Sequence, residues 1–75
     1  MTTEASQYRV FVEPLAGSLG GGFAAYAPEL KGCISDGATP DEALHNMYDA
    51  ITCWIEDAIS HGEPVPVPAP ERRYA

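Results

Sequence analysis

Seventy-five residues with eleven acids against four bases, a net charge of −7 and an apolar fraction of 45% set the outer limits. The length is that of one domain, and the apolar fraction is too high for a disordered chain. No apolar run approaches the roughly 20 residues of a membrane span, so no membrane partner is expected.

A chain this short buries only about 60% of its unfolded surface, so its own core leaves stability marginal without a metal, disulfides or a partner. Residues 1–7 carry neither a basic nor an apolar targeting region and read as a flexible N-terminus, not a secretory signal. Cys33 and Cys53 are too few for a disulfide scaffold and lack CxxC spacing, which points to reduced thiols in a cytoplasmic protein. Two of the four bases are Arg72 and Arg73, so residues 1–70 hold ten acids and two bases, a balance of −8. Such a surface repels phosphate, and direct nucleic-acid binding by this chain alone is not expected. Acidity commonly serves solubility; its sharper reading is steering onto a basic partner.

In chain order, Tyr8-Arg9-Val10-Phe11-Val12 reads as a strand with Tyr8, Val10 and Val12 on one face and Arg9 and Phe11 on the other. Pro14 ends it, because proline lacks a ladder donor. Residues 17–22, rich in glycine, form a flexible loop and lack the GxxxxGK[ST] pattern and the following helix of a phosphate loop. Residues 23–27 read as a second strand with Phe23 and Ala25 on one face and Ala24 and Tyr26 on the other. Pro28 and the Lys31-Gly32 turn separate it from a short third strand at residues 33–35, closed by Asp36-Gly37. The tight connections imply an antiparallel meander, and the small Ala24, Ala25 and Ala27 leave space for a helix to cross it.

That helix starts at Thr39, a favoured N-cap, with Pro40 at its first position and Glu42 three residues on, the pattern of a capping box. Apolar residues recur at Ala43, Leu44, Met47, Ala50, Ile51, Trp54, Ile55, Ala58 and Ile59, the 3.6-residue period of one buried face. His61-Gly62 and Pro64 mark its end. The fold class is therefore α+β: a three-stranded antiparallel sheet covered by one long helix, β-β-β-α, with space for a short C-terminal strand.

On the opposite helix face, Glu42, Asp49 and Glu56 recur at intervals of seven and form one stripe. Between Asp41 and Ile59 there are five acids and no Lys or Arg, so the i,i+4 pairs of a self-stabilising surface helix are missing. A solvated face explains this; so does a site for a basic partner. After Gly62 the chain reads Glu-Pro-Val-Pro-Val-Pro-Ala-Pro, an extended polyproline path suited to a spacer or an exposed arm. Residues 71–75 then either add a short edge strand, here or in a neighbouring subunit, or fray.

No catalytic constellation is present. His45 and His61 belong to no HExxH or His-plus-Cys ligand pattern, and no serine lies in a GxSxG setting. Cys33 beside Gly32 reads as a small buried residue and Cys53 as a polar-face one, neither with a neighbouring cation in sequence to lower its pKa. The expectation is a protein that is not an enzyme, with no catalytic, cofactor or metal residues.

The ordered set Gly22, Phe23, Ala25, Pro28, Glu29, Leu30, Gly32, Cys33, then Ser35, Gly37, Thr39, Glu42, Ala43 and Leu44 ahead of a long helix resembles the HicB antitoxin family. The resemblance covers roughly Tyr8 to Pro66. It implies a truncated ribonuclease H-like domain over residues 8–62, a proline-rich arm over 63–75, and assembly as a homodimer or homotetramer. It further implies an antitoxin of a type II toxin–antitoxin pair that covers the active site of a small basic mRNA-cleaving toxin, HicA. Many members carry a C-terminal DNA-binding segment; this chain ends soon after its arm, so that activity is not expected of it. The residues expected to meet the toxin are Glu29 and Asp36 in loops and the stripe Glu42, Asp49 and Glu56. Two alternatives are a residual metal-dependent ribonuclease H-like enzyme and a standalone oligomeric regulatory domain.

Overall fold

Alternation along the first strand sets the layers. A computed structural model of the chain describes residues 4–68. In it Tyr8 is buried and Val10 and Val12 pack against the core, while Arg9, Phe11 and Glu13 face solvent. The hydrogen-bonded strand β1 is Phe11–Pro14, later than the alternation alone implies. It pairs antiparallel with β2, Phe23–Tyr26, which pairs antiparallel with β3, Ile34–Gly37, in the order β1-β2-β3. The helix α1, Pro40–Ser60, lies over one face of this sheet, so the α+β architecture β-β-β-α is the one expected.

Pro14 does not stop the strand but occupies its last position, opposite Phe23. The Leu15 N–H donates to Gly22 O at 2.9 Å. In the antiparallel alternation this makes Phe11 and Glu13 the bonded positions and turns the backbone of Val12 and Pro14 toward the free edge, where a missing donor costs no ladder bond. At the other edge Ala27 N–H donates to Cys33 O at 3.3 Å, so Ile34 and Asp36 turn outward. There the Asn46 side-chain amide donates to Asp36 O at 2.9 Å.

The core lies between helix and sheet: Ala25, Ala27, Leu30, Ala43, Met47, Ile51 and Ile55 are all at or below 3% exposure. Burial of each larger side chain among them, Leu30, Met47, Ile51 and Ile55, contributes about 1.5–3 kcal/mol. The helix seats closely because Gly37 has no side chain: a Cβ there would stand 2.5 Å from Ala43 N. Ser35 Oγ donates to Ala43 O at 3.1 Å, fastening the same junction. Ala24, expected to help seat the helix, lies on the other side of the sheet, in register with Glu13 and Asp36.

The helix is capped as its sequence implies, with Glu42 N–H donating to Thr39 Oγ1 at 3.1 Å. The return bond lands one residue earlier than in the standard box, from Ala38 N–H to Glu42 Oε1 at 2.7 Å. Ile59 departs from the expected buried face and is 58% exposed. At about 100° per residue it lies about 120° around the helix from Met47 and about 80° from Ile51, at the margin of the buried face in the last turn.

Beyond the helix, residues 63–68 do not project as a free arm. Val65 packs against the core, Pro68 is fully buried, and the Tyr8 hydroxyl donates to Pro66 O at 2.6 Å. Near the other terminus Ala5–Gln7 form a 3-10 turn, with Ala5 packed against the core. The expected tail strand or frayed end at residues 71–75 lies outside the described residues.

Candidate functional site

A helix running over a small sheet exposes one stripe of side chains directly away from its core. Met47, Ile51 and Ala58 mark the buried line of α1. Glu42, Asp49 and Glu56 fall on the opposite side, and all three are exposed. Cys53 and Ser60 are exposed beside them. The carboxylates are not equivalent. Glu42 is committed to the Ala38 N–H at the helix start. Asp49 stands 3.8 Å from His45 Nε2, both side chains at least three-quarters exposed, a contact of little energetic worth in water. Glu56 carries its charge in the C-terminal half of the helix, where the dipole disfavours an anion.

The last turn extends the acidic surface. Asp57 Oδ1 lies 3.5 Å from His61 Nδ1, which also lies 2.8 Å from the Asp57 carbonyl. The backbone contact first, then the Asp57 carboxylate, holds the imidazole pKa above its ordinary value. Protonated His61 is the cationic counterpart that the helix C-terminus otherwise lacks.

The other two expected contact residues are placed elsewhere. Asp36 is not in a loop; it lies on β3, on the sheet face away from the helix. Glu29 does sit in the turn between β2 and β3, but its side chain is only 3% exposed and its Oε1 lies 3.6 Å from Arg9 Nε. That turn is drawn inward by Leu30, 1% exposed, and by Trp54 Nε1, which donates to Lys31 O at 3.1 Å. The five residues therefore do not form one surface: three lie on the helix, one behind the sheet and one inside the molecule. Asn46 and Ser35 bind the strand to the helix; in sequence Ser35 stood out only as one position of the family pattern, and Asn46 carried no signal beyond a polar side chain near the helix start.

A cleft of about 420 Å³ opens between the glycine loop and the helix start, lined by Gly20, Gly21, Gly22, Asp36, Gly37, Ala38 and Glu42. Its only charged lining groups are acidic, which turns phosphate away. Gly20, Gly21 and Gly22 all have positive φ, and a Cβ on Gly22 would meet Gly37 O at 2.8 Å, so the triplet is required for loop closure. Burial pushes the Cys33 thiol pKa up, with Cys53 adding in the same direction, which keeps Cys33 protonated and poorly nucleophilic. Among the described residues no group of three or more His, Cys, Asp or Glu is arranged to hold a metal ion. No described helix is long and apolar enough to cross a membrane. The feature that stands out among the described residues is the exposed acidic side of α1.

Comparison with known proteins adds an independent finding. The pattern of the family described as HicB-like antitoxin of bacterial toxin–antitoxin system matches residues 8–74. A UPF0150 protein of Synechocystis is 41% identical over 66 residues, covering 88% of this chain and 84% of that protein. A second UPF0150 protein of the same organism is 34% identical over 59 residues, 79% of this chain and 77% of the relative. One from Thermoplasma acidophilum is 39% identical over 46 residues, 61% and 67% of the two chains. No solved structure matches at a significant level.

Proposed function

The chain belongs to the HicB-like antitoxin family, and on that premise we propose that it neutralises a small basic mRNA-cleaving toxin of the HicA type by covering its active site. The observation that supports this reading is the acidic outer side of α1, five acids with no Lys or Arg between Asp41 and Ile59. A nuclease that grips RNA through its phosphates carries a basic surface, and a protein presenting regularly spaced carboxylates competes for it.

On this reading the antitoxin acts without chemistry of its own. Long-range attraction speeds encounter, and shape complementarity then excludes RNA. The β-β-β-α unit serves as a truncated ribonuclease H-like scaffold, in the cytoplasm, within a homodimer or homotetramer. Asp49 and Glu56 are the principal contacts, because Glu42 is shared with the helix cap and Glu29 is turned inward. Asp36, on the far side of the sheet, lies outside this surface.

The probe for the test is the protein encoded in the adjacent reading frame, which this reading requires to be small and basic. Binding and inhibition of RNA cleavage are expected, with affinity falling as salt rises. Asp49→Lys with Glu56→Lys should weaken binding about tenfold or more and flatten the salt dependence. Unchanged affinity and unchanged salt dependence in that variant would remove the acidic stripe from the mechanism. Failure of the basic neighbour to bind the native chain would remove the antitoxin reading itself.

A further inference from the structure

Two thiols from distant parts of the chain border one cleft. Cys33 is the residue just before β3 and Cys53 stands on α1, yet both line an opening of about 340 Å³ beside Ala50 and Trp54. Both are free cysteines, Cys33 buried and Cys53 exposed. The packing of the helix on the strand sets them level. Later helix residues meet earlier strand residues: the Asn46 amide donates to Asp36 O, and the Trp54 indole donates to Lys31 O. From Asn46 to Cys53 the helix advances seven residues, about 10.5 Å. From Asp36 back to Cys33 the extended chain covers three residues, about 10 Å. Seven residues are also nearly two whole turns, so Asn46 and Cys53 lie on one side of the helix within about 20°. Cys53 therefore stands over the β3 edge at the height of Cys33. The influence of Cys53 on the Cys33 thiol, second to burial in raising its pKa, agrees with that proximity.

We propose that Cys33 and Cys53 close to an intramolecular disulfide, a reversible modification that clasps α1 to the β3 edge under oxidising conditions. The exposed thiol reacts first. Cys53, as thiolate, attacks one sulfur of a small-molecule disulfide such as oxidised glutathione and expels the other half as a thiolate, leaving a mixed disulfide. Cys33, as thiolate, then attacks the Cys53 sulfur and expels the second half. The two protons lost by the cysteines go to the two released thiolates. One small disulfide is thus reduced to two thiols for each protein disulfide formed. The second step is the slow one, because Cys33 is buried and held protonated, and it quickens as pH rises.

The clasp closes a loop of about 20 residues, which holds β3 and most of α1, and so removes conformational freedom from the unfolded chain. A domain of this length has little stability to spare, which makes a covalent tie between its two layers consequential. Closure needs no partner and stands apart from the antitoxin reading.

The test is made on the purified full chain alone, with oxidised glutathione as oxidant and dithiothreitol as reductant. The expected product runs as a single chain on a denaturing gel, is lighter by two hydrogens and has no free thiol. Peptide mapping should join the Cys33 and Cys53 fragments. Its melting temperature should exceed that of the reduced chain by about 10 °C, and dithiothreitol should erase the difference. Cys33→Ala should stop at the glutathione adduct on Cys53. Moving the exposed thiol back one turn, Asp49→Cys with Cys53→Ser, should also stop at the adduct, and this pair tests the alignment without touching the core. A native chain that stays reduced, halts at the adduct or links to a second chain would overturn the proposal. So would closure from position 49 as readily as from 53, or an oxidised chain that melts below the reduced one.

Discussion

The two outer surfaces of this molecule are built from the same short chain yet differ in kind. The solvent side of α1 is a field of carboxylates with no apolar row, while the uncovered side of the sheet is the apolar row Phe11, Tyr26 and Ile34 with charges of both signs at its ends. They lie on opposite sides of a molecule whose shortest extent is 16 Å. Uniform charge repels its own copy and draws a cation; an exposed apolar row draws another apolar surface.

The largest effect is expected where both surfaces would be lost together. Gly37→Ala drives a Cβ to 2.5 Å from Ala43 N, backbone that cannot swing aside. It should destabilise the fold by about 3 kcal/mol or more, seen as a collapse of the thermal transition and of every binding activity.

The comparison itself is tested by a crossed pair of variants. Ile34→Glu should weaken self-association at least about tenfold and leave affinity for a basic partner unchanged. Asp49→Lys with Glu56→Lys should do the reverse. If each variant damaged both activities equally, the two surfaces would not be separate sites. Calorimetry with the partner and sedimentation without it give the two readouts.

Smaller effects sharpen the account of the helix that divides the surfaces. Thr39→Ala removes the acceptor for Glu42 N–H and should cost about 1 kcal/mol in chemical denaturation, without altering the dimer constant. The weakest effect concerns His61. Its folded pKa is raised above the ordinary value of 6.5, so its stabilising contribution is complete below that value and is lost as pH rises through the raised one. The melting temperature of the native chain should therefore exceed that of His61→Gln by a small margin near pH 6, and the margin should vanish at alkaline pH. A margin that grew with pH would contradict the placement of the imidazole against Asp57.

Legibility in the sequence followed the range of the forces involved. The helix, its cap at Thr39, its end at His61 and its acidic stripe were readable because each depends on neighbours within one or two turns. The strands were readable as alternation, but their ends were not. Pro14 is tolerated only because β1 is an edge strand whose outward positions include it, which no local pattern states. The candidate site was readable only in its helical part. Glu29 looked like an exposed loop acid, and its inward turn depends on Arg9, twenty residues away in the chain.

The amino-acid order by itself determined the element types, the acidic stripe and the family pattern, because periodicity, capping and turn chemistry act over a few residues. Tertiary structure alone decided which acids share a surface, that Ile59 is left outside, and that residues 63–68 fold back beneath the Tyr8 hydroxyl. It also brought Phe11, Tyr26 and Ile34 into one row, from three strands separated in sequence by turns and a loop. Burial and alignment are properties of what packs against a residue, and that neighbour is supplied by distant parts of the chain.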